Sequence, residues 1–367
     1  MAVPAIDSKT GSRLMSLDAF RGLTIAGMML VNNAGGWPDV FSPLKHASWH
    51  GWTPTDLVFP FFLWITGMAM TLSFAKRVER GEDRGKLFAH AARRSAWIFL
   101  IGLFLGAFPY FHLATLRIPG VLQRIAVCYL CAATIFLLTK VRGQIVAAAA
   151  LLLVYWALMM LVPVPGHGAG VLTPQGNFAA WVDQVFLTGH MYSQTKTWDP
   201  EGIVSTLPAI ATVLFGIFAG HVLRLRAGIA DKCAWLGVMG TGLLFAGMAL
   251  DLVLPINKNL WTSSYALFTA GLAALLFGVF YWLVDGNGWR RGIAPLTIYG
   301  TSPIAIYFVA GITADLLGES GGAKAIYSGL SALMPATAAS AAYGMLHVLF
   351  LYLVAWIMHR KGWIVRL

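Results

Sequence analysis

The sequence predicts an all-α protein, a polytopic bundle of transmembrane helices. Three observations carry this. Of 367 residues, 58% are hydrophobic and 11% are charged, whereas soluble domains are roughly a quarter charged. Mean hydropathy is +0.71. The apolar residues also gather in blocks close to the ~20 residues that a helix needs to cross hydrocarbon.

Ten spans follow from those blocks, at about 17–36, 57–75, 89–109, 119–139, 144–162, 203–222, 235–255, 263–284, 293–315 and 340–358, with eleven as the alternative count. The run "QIVAAAALLLVYWALMMLV" is close to a pure membrane segment, whereas the first and ninth spans carry polar residues. The basic residues test the count, because Lys and Arg collect in cytoplasmic loops. With both termini in the cytoplasm, the inner segments hold twenty of the 26 Lys plus Arg. The outer side holds only Lys45, Arg117, Arg124, Lys196, Lys258 and Lys324. A net charge of +11 is therefore a topology signal, and no nucleic-acid partner is expected. The loop 76–94 is a solvated charge run suited to lipid headgroups.

The chain reads as one transmembrane domain, 1–367, with long outer loops at about 37–56 and 163–202. A short amphipathic helix is expected near 316–339. Met1 to Ser16 lacks a continuous apolar core, so no cleavable signal peptide is expected. Three cysteines are too few for a disulfide framework. Cys128 and Cys131 stand two apart inside an apolar block and read as core residues, so no metal site is expected.

The chemically capable residues collect near the outer helix ends. Asn32 and Asn33 end the first span, and Asp56 opens the second. Arg117, Gln123 and Arg124 flank the fourth, Asp199 and Glu201 precede the sixth, and Asp251, Asn257, Lys258 and Asn259 follow the seventh. Ionisable groups at membrane depth are costly and point to function. Each also has a plain structural reading. Asp56 follows Thr53 and Pro54 and reads equally as a helix cap. Asp18 and Arg21 form an i, i+3 ion pair, Trp52 fits an interfacial aromatic belt, and His347 reads as a hydrogen-bonded interior histidine. His46, beside Lys45 in a tryptophan-rimmed loop, reads as a bystander or as a general base.

The segments "SLDAFRG", "HASWHGWTPTDLVFPFF", "RIPGVLQRIAVCY", "WDPEG" and "INKNLWTSSY" occur in this order over residues 14–266. Together they resemble the heparan-α-glucosaminide N-acetyltransferase family of transmembrane acyltransferases. The resemblance implies transfer of acetyl from acetyl-CoA to the amine of a glucosamine across a membrane. It places the catalytic histidine at His46 and a second catalytic residue at Asn32, and it suggests a homodimer. A bacterial inner membrane is the expected location.

On that footing His46 is the base or the acetyl carrier, Asn32 donates to the developing oxyanion, and Asp56 orients His46. Lys45, Arg117, Gln123, Arg124 and Lys258 are the expected cofactor-binding set, with the inner arginines as the other phosphate candidates. Asp199, Glu201, Asn259 and Trp261 are expected to receive the sugar, Trp261 by stacking. Two other classes stay open. One is an O-acyltransferase of a glycan or lipid-linked sugar; the other is a polar-solute transporter.

Overall fold

The computed structural model describes residues 14–36 and 38–363, so Lys9, Arg13 and Arg366 of the charge pattern lie outside it. The described chain is helical, with two isolated β-bridges and no longer β-pairing. In order the helices are α1 (Met15–Asn32), α2 (Val58–Glu79), α3 (Arg84–Ala107), α4 (Val121–Leu138), α5 (Val141–Leu161), α6 (Phe178–Leu187), α7 (Thr206–Leu223), α8 (Ile229–Asp251), α9 (Ser263–Tyr281), α10 (Ile293–Tyr299), α11 (Pro303–Glu319), α12 (Gly322–Ser331) and α13 (Ala336–Arg360).

Among the described residues, eight helices are long and apolar enough to cross a membrane, and nine if the bent pair α10–α11 is one span. These match nine of the ten expected segments. The tenth, α1, has 18 residues but is not among them; Asp18 and Arg21 lie in it and pair at 3.2 Å.

One part of the chain expected as loop is helical, α6 within 163–202. Asn177 caps α6, its side chain accepting from the Ala180 amide at 2.8 Å, and the apolar face of α6 buries Phe178 and Leu187. The short helix expected near 316–339 is α12. The ninth span is broken rather than continuous, its halves meeting at 77°. Pro303, with no N–H to donate, opens α11.

Glycines let the backbones cross closely. A Cβ on Gly67 would stand 1.9 Å from the Val213 carbonyl oxygen, and one on Gly216 would stand 1.9 Å from that of Trp64. These two positions lock α2 against α7. Gly22 and Gly300 do the same for α1 and α10, where added Cβ atoms would meet Leu296 O at 1.8 Å and Asp18 O at 2.1 Å.

The bundle therefore has two chemically distinct ends. At one, the arginine end, Arg224 pairs with Glu79 and Arg77 pairs with Glu82. At the other, the histidine end, loop 37–56 is tied to its neighbours. The Gly51 amide donates to Ile256 O at 2.8 Å, and the Trp49 indole N–H donates to Leu172 O at 2.8 Å.

Candidate active site

The stretch Thr53-Pro54-Thr55-Asp56 forms a capping box ahead of α2. Asp56 Oδ2 accepts from the backbone amides of Thr53 at 2.9 Å and Ala47 at 3.0 Å. Its other oxygen, Oδ1, is 2.6 Å from His46 Nδ1. Capping and orientation, which compete on paper, are thus divided between the two oxygens of one buried carboxylate. The Tyr265 hydroxyl donates to the Asp56 carbonyl and fixes the backbone there. An ionised carboxylate only accepts, so His46 Nδ1 carries a proton, and in the neutral ring the lone pair is on Nε2.

Lys258 stands over this pair. Its Nζ is 3.3 Å from both ring nitrogens of His46. A point in the ring plane at equal distance from both would collide with Cε1, so the ammonium lies over the face of the ring. Burial lowers the Lys258 pKa, against the pull of Glu201 and Asp56. Asn257 builds the turn that presents it: Asn257 is fully buried, and its Oδ1 accepts from the Leu260 amide at 2.9 Å. Asn259 is half-buried in the same turn.

A second cluster lies in the loop before α7. Arg117 grips Asp199 with both Nε (2.9 Å) and Nη2 (2.6 Å), pairs with Glu201, and lies over the Tyr192 ring at 4.6 Å. Burial alone would lower its pKa; the Asp199 hydrogen bonds and the Glu201 charge outweigh that and raise it. Asp183, which composition alone did not single out, sits behind this cluster in α6. It accepts from the Ile203 amide at 2.9 Å and the Asp199 amide at 3.2 Å. Burial pushes its carboxyl up to about 6, helped by the Asp199 charge.

A cavity of about 320 Å³ opens beside this cluster, lined by Asn32, Arg117, Gln123, Tyr307 and Asp315 among others. Asn32 is exposed to it. The neighbouring Asn33 also lines it but spends its amide on Met29 O at 2.7 Å, which favours Asn32 as the available donor. Asp315 falls at the end of the ninth expected span with no motif around it, so the sequence does not mark it. Charges connect the cavity to His46: Arg117 pairs with Glu201, Glu201 acts on Lys258, and Lys258 covers the imidazole.

On the other side of Leu122 lies a larger cavity of about 660 Å³ at the arginine end. Arg77, His90, Arg93, Arg94 and Tyr129 line it, as do Thr301 and Pro303 at the break between α10 and α11. Leu122 lines both cavities and is buried. Irregular backbone at membrane depth is tolerated where it lines such a space.

Five of the expected site residues make contacts other than those the sequence suggests. Asp199 is buried, and its oxygens already take Arg117 twice and the amides of Tyr192 and Glu201, so it has no room for a substrate cation. Arg117 is committed to two carboxylates and is no open phosphate clamp. Trp261 is 1% exposed, with Arg124 5.2 Å above its ring and its indole N–H on Thr212, so no face is open for a sugar. Arg124 is itself buried, bonded to Gly202 O and Ser205. Its Nε and Nη1 have no protein partner among the described residues. Lys45 points outward to Pro38 O at 3.2 Å.

The comparison with known proteins fits this geometry. The family model for heparan-α-glucosaminide N-acetyltransferase, catalytic, matches residues 13–247. The chain belongs to the heparan-α-glucosaminide N-acetyltransferase family. The Homo sapiens protein of that name is 31% identical over 354 residues, covering 80% of this chain and 52% of its own length. The Mus musculus protein is 30% identical over 359 residues, with 83% and 54% covered. The chain thus spans about half the length of the curated relatives it matches. The matched region contains His46, Asp56, both members of the Arg117–Asp199 pair and every wall of the larger cavity except the α10–α11 break.

Proposed function

We propose that the chain is a multi-pass membrane acetyltransferase that moves acetyl from acetyl-CoA to the amine of a glucosamine-type sugar. In this reading the chain has ten spans, with α1 as the first, and both termini lie in the cytoplasm. The histidine end faces the periplasm of a bacterial inner membrane, and two copies pair as a homodimer.

The observation that carries the reading is the 2.6 Å contact between His46 Nδ1 and Asp56 Oδ1. It sets the ring orientation and leaves Nε2 as the basic edge. An amine acceptor arrives as an ammonium ion, so a base must remove its proton before it attacks. His46 Nε2 takes that proton, and the Asp56 carboxylate stabilises the imidazolium that results. Lys258 covers the ring face and leaves the edge to the acceptor. The same Nε2 is also placed to carry the acetyl group itself. Asn32 donates its amide N–H to the developing oxyanion.

Acetyl-CoA supplies an already activated thioester. The arginine-end cavity fits its phosphates: at about 660 Å³ it is larger than the histidine-end cavity, and Arg77, Arg93, Arg94 and His90 bring cationic and hydrogen-bonding groups to it. These residues would hold the nucleotide end. Leu122, which lines both cavities, stands between there and the histidine-end cavity.

Purified protein incubated with labelled acetyl-CoA and either glucosamine or glucose tests the reading. N-acetylglucosamine formation without glucose acetylation supports it. Acetylation of hydroxyls alone would replace it with an O-acyltransferase. No transfer, with uptake of a polar solute into proteoliposomes, would favour a transporter; the break at 77° between α10 and α11 is the feature that keeps that second reading.

A further inference from the structure

A smaller cavity of about 290 Å³ lies at the arginine end, on the far side of α4 from the larger one. It is bounded by the C-terminal ends of α2, α4 and α7 and the first turn of α5. Arg84 and Lys140 bring cationic nitrogen donors to it from separate parts of the chain, and His221 adds an imidazole to the wall. Arg84 is held in place, its Nη1 donating to Leu137 O at 2.9 Å. His221 is fixed by Gln144 Oε1 at 2.9 Å and by stacking on Phe136 at 5.8 Å. The one carboxylate in the wall, Glu79, is already claimed by Arg224. Among the described residues, neither Arg84 nor Lys140 has an acidic partner.

Directly outside the cavity the surface turns apolar. Leu138 is 76% exposed and Ile145 is 52% exposed, with Val141 in the cavity wall between them. A free phosphate would use the cations but not this strip. A phospholipid uses both, with its phosphate in the cavity and its chains along α4 and α5. We infer that this cavity is a binding site for the headgroup phosphate of an anionic phospholipid. Basic pockets between helices at a membrane surface bind such headgroups. The inference does not depend on acetyl transfer.

The test is native mass spectrometry of the full chain in detergent with phosphatidylglycerol or phosphatidylcholine of matched chains. The wild type is expected to retain phosphatidylglycerol roughly tenfold better. The double variant Arg84→Gln/Lys140→Gln should lose that preference, while Arg226→Gln, outside the cavity, should keep it. If the double variant fails to fold, Lys140→Gln alone should still weaken retention, since Lys140 lies on the exposed surface. Equal retention of the two lipids by wild type, or an unchanged preference in the folded variants, would overturn the site. Displacement of the lipid by millimolar inorganic phosphate would overturn its assignment to a lipid and leave a free-anion site.

Discussion

His46 and Asp56 share one short contact, 2.6 Å between Nδ1 and Oδ1, while the other Asp56 oxygen holds the start of the second helix. The carboxylate is buried and its position is set by two backbone amides and the Thr53 hydroxyl, so the imidazole it holds is set as well. Helix geometry thereby sets the geometry of the proposed base: the fold fixes Asp56, and Asp56 fixes His46.

Asn32 is exposed at the histidine-end cavity, whereas the neighbouring Asn33 gives an amide N–H to Met29 O. Asn32→Ala should lower turnover by ~10²–10³-fold, the usual loss for one oxyanion donor. Asn33→Ala should cost little turnover and some thermal stability, because it removes a bond to Met29 O. Steady-state kinetics on both variants checks the assignment, and equal effects would contradict it.

Leu122 separates the two cavities. Leu122→Trp should block the path while leaving the cationic residues of the arginine-end cavity, Arg77, Arg93 and Arg94, in place. Binding of adenosine 3′,5′-bisphosphate, measured by calorimetry, should be unchanged within about twofold, and acetyl transfer should fall by ~10²-fold or more, as expected when reacting groups are misplaced. Unimpaired transfer would remove Leu122 from the route.

Burial pushes the Asp183 carboxyl up to about 6 from its ordinary 3.8. Between these values the native state holds the proton and the unfolded chain does not. Stability therefore falls as pH rises from about 4 to about 6, by roughly 3 kcal/mol in total. The thermal midpoint of wild type should drop between pH 5 and pH 7 relative to Asp183→Asn, measured at one scan rate in one detergent. Parallel curves would show that Asp183 is not the group responsible.

Gly216 meets the Trp64 carbonyl so closely that any Cβ must push α7 off α2. Gly216→Val should destabilise the detergent-solubilised protein by several degrees and reduce its folded yield. Gly242, whose added Cβ would meet nothing within 4 Å, is the control, and Gly242→Ala should leave the midpoint near its starting value.

Much of this was legible in the sequence because hydrophobic blocks and basic residues report directly on solvent. The long apolar runs fall on helices of the structure, and Thr53-Pro54-Thr55-Asp56 reads as a cap and is one. What stayed hidden depends on pairing across the chain. Nothing in "WDPEG" says that Asp199 spends all its acceptors on Arg117 and two amides, 82 residues from the arginine in the first case. Trp261 looks like a sugar platform in sequence, but burial closes both faces. Asp183 and Asp315 sit in apolar helices without a motif, and only their positions against the loop before α7 and the cavity single them out. Lys258 was expected to hold a phosphate; its place over the His46 ring depends on the turn built by Asn257.

The most direct test compares wild type, His46→Ala and Asp56→Asn, each shown to be folded by size exclusion, in transfer of labelled acetyl from acetyl-CoA to glucosamine. The account predicts background activity for His46→Ala and a loss of ~10²-fold or more for Asp56→Asn, in line with removal or misorientation of a general base. Label retained on wild-type protein without acceptor, and absent from His46→Ala, would assign the acetyl-histidine route. Full transfer by folded His46→Ala would contradict the account.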